Sequence, residues 1–341
     1  MSPRERVLNL FSKKKIDYIP LFSGQGNISL HGLAQHGWNF PDIHSDARKM
    51  ATVAASTYRL FGFECAVVPF DVGVEAEALG SKLNYYPNQT DILYPTVSQP
   101  LAEKVVDLDI RVPSNLREAG RIPIVREALR LLKEDIGDEV AIGSYVLGPY
   151  TLAGQLVDLS DLSKSAYKKK EITYSILQTL ADALIEIIGI YKEAGADYIN
   201  IREMGAGPDI LSPRLFETLI LPNLQRVFSN IEIPNVLHLC GDTNMIVELM
   251  AQAGADAVSV ERKNDIVETR KKMGPDALIF GDLDGFGLLV EGTPGDVEKG
   301  VKEAIEKGVS AIWPGCDIWP TVPQENMEAM MAAARKYGKL V

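Results

Sequence analysis

The chain is poor in cysteine, and it lacks the features that would carry it into a membrane or onto nucleic acid. Its 341 residues hold three cysteines, Cys65, Cys240 and Cys316. That is too few for a disulfide framework, and sparse thiols in a large chain point to a reducing compartment, where a Cys/His cluster more often means metal or catalysis. The cytoplasm is the expected location. No apolar run is read as reaching the roughly 20 residues of a membrane span. The opening stretch MSPRERVLNLFSKKKIDYIP has no apolar signal core or small-residue cleavage site, so export is not expected. With a net charge of −11 and no Lys/Arg-rich face interleaved with aromatics, no nucleic-acid partner is expected either. No G-x-G-x-x-G follows an early strand, which argues against a dinucleotide-binding open sheet.

What is present is an ordinary globular composition, 46% apolar with mean hydropathy near zero, large enough for a sizeable core. The second half alternates helical and strand signals. ADYINIRE, NVLHLC, DAVSVE, ALIFGDLD and SAIWPGC read as strands, separated by segments with helical apolar spacing. EAGADYINI and QAGADAVSV echo each other as reused βα units. The first half adds DYIPLFS, ECAVVPFD and EVAIGSYVLG, giving eight expected strands. Eight near-continuous apolar strands separated by helices predict a single α/β domain over 1–341, a (β/α)8 TIM barrel with an N-terminal helical extension. The stretch 74–100 is too long for a simple βα loop and predicts a hairpin insertion over the barrel mouth, a plausible lid.

Barrel chemistry sits at the carboxyl ends of the strands, so the polar residues there are the candidates. They are SGQGN at 23–27, Asp71, GPYTLAGQ, Arg202 and Glu203, His238 and Cys240, Glu261, Asp282, and Cys316. His238 and Cys240, two apart on a strand, share a face. If that face is the barrel interior, Cys316 enters the same mouth from the last strand. Two thiolates and an imidazole suit Zn2+, and three protein ligands leave a position for water or substrate. Spacing alone leaves a second reading open, two buried core residues that happen to be neighbours. Glu261 has two readings as well, a fourth zinc ligand in the absence of substrate or a charged strand end paired with Arg262 or Lys263. Asp71, Asp282 and Asp284 read equally as turn residues and helix caps. Cys65, with no partner nearby, is expected to be packing.

Several segments in order resemble the uroporphyrinogen decarboxylase superfamily, and within it the methylcobamide:coenzyme M methyltransferases. They are RERVLNLFSKKKIDYIP, VPFDVGVEAEALG, GPYTLAGQL, LSPRLFETLILPNLQRV, HLCGDT, GADAVSVE and PGCDIWPTVPQENMEAM. The resemblance implies zinc held by His238, Cys240 and Cys316, with Glu261 as an exchangeable fourth ligand. It also suggests that Asp71, Gln155 and Asp282 face the tetrapyrrole-like cofactor. The decarboxylases' arginine-bearing loop after the first strand is here SGQGNIS, their tyrosine beyond the third strand falls at Gln155, and their late histidine is Cys316. The second cysteine also separates the chain from relatives with carboxylate-rich zinc sites.

The activity so implied is zinc-dependent transfer of a methyl group from methylcobalamin, or from a corrinoid on a separate protein, to a small thiol such as coenzyme M. Three rivals stand beside it: a substrate-to-corrinoid methyltransferase, a decarboxylase-like tetrapyrrole enzyme, and a non-catalytic corrinoid- or tetrapyrrole-binding barrel.

Overall fold

The computed structural model describes residues 1–87 and 89–340. Its strands in chain order are β1 (Cys65–Val68), β2 (Lys82–Asn84), β3 (Thr96–Gln99), β4 (Ala141–Leu147), β5 (Tyr198–Arg202), β6 (Asn235–His238), β7 (Ala257–Ser259), β8 (Leu278–Leu283) and β9 (Ala311–Pro314). Seven of them form one curled sheet in the order β1-β4-β5-β6-β7-β8-β9, while β2 and β3 pair separately. Every pairing in the large sheet is parallel. Its strands are buried at every position. Burial on both faces is what makes them continuous apolar runs rather than alternating ones.

The segment 17–23, expected as a first strand, differs from that expectation. Leu21 makes only an isolated parallel bridge to Ile312 of β9. On its other side the Leu21 carbonyl accepts the N–H of Glu64, next to β1, at 3.3 Å. Pro20 has no N–H to extend the ladder. Beyond Phe22 the backbone turns, with Ser23 Oγ accepting from Gln25 N–H at 3.0 Å. The stretch 74–100 holds a short helix, Val74–Ala78, and the antiparallel pairing of β2 with β3.

An aromatic cluster fills the space enclosed by the sheet. Phe22 meets Trp313 at 5.0 Å and Phe280 at 5.3 Å between ring centroids. Phe11, from the helix Pro3–Phe11, packs on Tyr198 and Phe280 near the amino end of β5. A serine-started capping box, Ser2 with Glu5, fixes the start of that helix. The strands' carboxyl ends are left for polar residues.

One helix departs from the sequence reading of apolar runs. Lys170–Glu193 is long and apolar enough to cross a membrane by length and composition. One stripe of it, including Leu177, Leu180, Leu184, Ile187 and Tyr191, is buried in the core of this structure.

Candidate metal centre

β6 delivers His238 as its last residue, and the chain stays extended long enough for Cys240 to leave on the same side. His238 pairs in register with Ser259 of β7, and its Nδ1 lies 3.0 Å from Ser259 Oγ. A ring that gives its Nδ1–H to that hydroxyl keeps an Nε2 lone pair free. Nε2 points at Cys240 Sγ, 3.1 Å away, and at Gln25 Nε2, 3.4 Å away. Cys240 Sγ is 3.8 Å from Cys316 Sγ. The three donor atoms of His238, Cys240 and Cys316 all lie within 4.8 Å of one another.

Two glycines shape this pocket. Gly241 takes φ +83°, a left-handed conformation that glycine adopts without steric cost, and its N–H donates to Glu261 Oε2 at 2.7 Å. Gly315, next to Cys316, is wedged so tightly that a Cβ there would meet Glu261 Cα and the Leu283 carbonyl oxygen, each at 3.1 Å.

The sulfurs share a charge. A hydrogen bond from Cys240, with His238 and the Arg202 charge nearby, pushes the Cys316 thiol well down, while the same contact and burial push Cys240 up. The pair thus holds one thiolate readily and resists a second without a cation. The residues fit zinc. The 3.8 Å sulfur separation matches the edge of a tetrahedron with metal–sulfur bonds of about 2.3 Å. The His238–Cys240 contact is shorter than the roughly 3.6 Å of such an edge and would open slightly.

Beside Cys316 lies a cavity of about 360 Å³, lined in part by Glu261, Leu283, Phe286, Gly315 and Trp319. On the other flank Arg202 donates to Asp317 at 2.8 Å and lies over the ring of Tyr145. Burial opposes the charge of Arg202, but the Asp317 carboxylate more than restores it.

The family description "Uroporphyrinogen decarboxylase (URO-D)" matches residues 2–337. The chain belongs to the uroporphyrinogen decarboxylase family. Within it, the chain is 31% identical over 335 residues to the methylcobamide:CoM methyltransferase MtaA of Methanosarcina barkeri, covering 98% of each. It is 28% identical over 339 residues to the methylcobamide:CoM methyltransferase MtbA of Methanosarcina acetivorans, again covering 98% of each. Among solved structures, a methyltransferase from Methanosarcina mazei superposes with a TM-score of 0.93 at 30% identity, over 99% of both chains.

This member of the uroporphyrinogen decarboxylase family places the remaining candidates apart from the three-atom cluster. Glu261 is half-buried, its carboxylate taken up by the Gly241 N–H, and it is not among the converging donors. Asp71 is fully engaged: Arg121 grips both its oxygens at 2.7 and 2.8 Å, and His44 Nδ1 stands at 3.1 Å. Gln155 lines a groove between β3 and the helix Pro149–Leu156. Asp282 is buried and turned toward Lys307, just past the helix Pro294–Glu306, at 3.4 Å. Cys65 is buried beneath Ser23, whose N–H donates to its sulfur at 3.2 Å, consistent with packing. Sequence reasoning gave Gln25 and Arg202 only as members of a strand-end inventory and passed over Ser259 and Asp317. Nothing in their spacing separates them from other polar strand ends.

Proposed function

We propose that this protein transfers a methyl group from a methylated corrinoid to a small thiol, with His238, Cys240 and Cys316 as ligands of a zinc ion. The convergence of these three donor atoms carries the reading, because it joins one strand end to a remote loop. The names of the relatives agree with it. Zinc, when bound, supplies a Lewis acid that lowers the pKa of a coordinated thiol and holds it as thiolate at neutral pH. The chain's own residues do the rest. Ser259 fixes the imidazole, Gly315 lets the Cys316 loop close in, and the two cysteine sulfurs hold negative charge at the site. The substrate sulfur attacks the methyl carbon of methyl-Co(III), so that a carbon–sulfur bond forms, the carbon–cobalt bond breaks, and its electron pair stays on cobalt as Co(I).

On this reading the segment 20–22 is the eighth stave, closing the sheet between β9 and β1 into an eight-fold barrel that forms a single domain over 1–341. The β2–β3 hairpin borders its mouth. Glu261 leaves Gly241 to become the exchangeable fourth ligand, and Asp71, Gln155 and Asp282 shape the wall around the corrinoid without touching the metal. The corrinoid arrives on a separate protein, and neither nucleic acid nor membrane takes part.

Absorption spectroscopy of methylcobalamin tests the proposal. Adding a thiol to the zinc-loaded protein should convert methylcobalamin to the Co(I) form. A substrate-to-corrinoid enzyme would instead form methylcobalamin from Co(I) and a methyl donor, and a binding barrel would change neither.

A further inference from the structure

The net charge of −11 hides a local exception. Lys168, Lys169 and Lys170 stand together where the helix Leu159–Lys168 meets the helix Lys170–Glu193. The second helix is 24 residues long, about 36 Å, and runs back to the amino end of β5, whose five residues span about 17 Å. Its lysine end therefore overreaches the carboxyl edge of the sheet and rises beside the mouth. Tyr167 ties it there, its hydroxyl accepting the N–H of Ser212, on the chain leaving β5, at 3.4 Å. Arg214 follows two residues later.

These four cations are exposed, and none forms an ion pair among the described residues. Glu171 comes next in the chain and pairs with none of them. Nor do the lysines serve the helix. Lys169 is the N-cap and Lys170 the first residue of Lys170–Glu193, with no side-chain cap bond, and cations at that end oppose the helix dipole. Tyr167 and Ile172 lie exposed beside them. A cationic cluster carrying exposed apolar side chains fits a protein surface of opposite charge.

We propose that this rim is the docking surface for the protein that bears the methylated corrinoid, met through an acidic face of that protein. The inference rests on the corrinoid arriving on a separate protein, as proposed above. That reaction brings the methyl carbon into contact with a sulfur at the mouth, so the carrier must cover the mouth. A domain of about 100 residues has a radius of gyration near 13 Å, broad enough to reach from the mouth to its rim. The rest of this chain carries net negative charge and repels an acidic carrier, so the rim selects one approach.

The donor in the test is the cobamide-bearing protein of the source cells, purified by its corrinoid absorbance and methylated, with free methylcobalamin as control. Lys168→Glu/Lys169→Glu/Lys170→Glu should lower kcat/KM for the protein-borne donor about tenfold or more at low salt, the scale of electrostatic steering, and leave use of free methylcobalamin unchanged. Glutamates suit a helix amino end, so the variant should fold. The loss should narrow as salt rises to about 0.15 M, where the Debye length is about 8 Å. Lys13→Glu/Lys14→Glu/Lys15→Glu, in an exposed run at the amino end of the sheet just before the segment 17–23, changes the charge equally and should leave use of both donors unchanged. Equal use of the protein-borne donor by the wild-type protein and the first variant overturns the inference and leaves thiol methylation intact. It does so even where that variant loses binding to RNA or to phosphatidylglycerol vesicles, which would assign the lysines to those partners instead. If neither donor is consumed, the proposed function fails. Fluorescence anisotropy of the labelled corrinoid protein then decides the docking surface by itself: binding weakened about tenfold by the first variant supports it, and equal or absent binding refutes it.

Discussion

His238 Nδ1 and Ser259 Oγ stand 3.0 Å apart across the β6–β7 pairing, and that contact aims the imidazole at two sulfurs. Partners of this kind fix the ring orientation of metal-binding histidines, and their loss typically lowers metal affinity about 10- to 100-fold. Ser259→Ala should weaken zinc binding by that factor in competition with a chromophoric chelator, with little change in thermal stability. An unchanged affinity would show that the hydroxyl does not orient the ligand.

Gly315→Ala tests the approach of the Cys316 loop. Its new Cβ would press on backbone atoms of Glu261 and Leu283 at 3.1 Å. Backbone yields less readily than a side-chain tip, so overpacking here should cost about 1–3 kcal/mol and displace Cys316 from the cluster. Reduced zinc retention on gel filtration is the readout. Gly295→Ala is the control, because a Cβ there meets nothing nearer than Thr293 Oγ1 at 3.8 Å, inside the helix Pro294–Glu306.

The Asp71–Arg121 pair is structural in its energetics. Burial opposes ionisation of Asp71, but hydrogen bonds from Arg121 and His44 and the guanidinium charge outweigh it and hold the carboxyl below its usual range. A carboxyl with a depressed folded pKa contributes stability above its unfolded value near 3.9, lost as pH falls through the folded value. Arg121→Ala leaves the carboxylate buried and unpaired, and should cost about 3–5 kcal/mol in urea unfolding at neutral pH. The deficit should shrink as the pH is lowered toward 4, where Asp71 in the variant takes up a proton. A deficit independent of pH would mean that packing, not charge, is what Arg121 supplies.

Glu75 titrates the other way. It is fully buried, neither carboxylate oxygen makes a well-formed hydrogen bond among the described residues, and burial outweighs the pull of the nearby Glu75 and Leu147 backbone N–H groups and pushes its pKa up to about 7. The folded state therefore holds a proton that the unfolded state releases near pH 4.3, so stability falls between roughly pH 4 and 7. Glu75→Gln, which cannot ionise, should gain in melting temperature relative to wild type as the pH rises from 5 to 8. A difference that stays constant over that range would contradict the assignment.

Much of the fold was legible because burial on both faces leaves runs such as CAVV and YINIR without polar interruption. The segment 17–23 misled for a physical reason. Its apolar residues promise a strand, but Pro20 and the Ser23–Gln25 turn limit it to isolated bridges, Tyr18 to Lys339 and Leu21 to Ile312. At the site, the two-residue spacing of His238 and Cys240 was readable, and Cys316 became legible once the barrel order was assumed. Side-chain direction was not. Asp282, near the end of β8, and Cys316, just past β9, both read as strand-end residues in the sequence, yet one turns to Lys307 and the other to Cys240. Ser259 and Arg202 stand beside His238 through strand register, a relation that no local spacing encodes.

The central claim is best tested by zinc analysis and methylcobalamin turnover measured on the same samples of wild-type protein and Cys316→Ala. A single three-ligand site predicts about one zinc per wild-type chain and thiol-dependent loss of methylcobalamin. Cys316→Ala, still folded by circular dichroism, should lose both the tightly held zinc and the turnover. Full turnover by Cys316→Ala, or wild-type turnover undiminished after zinc is stripped, would contradict the account.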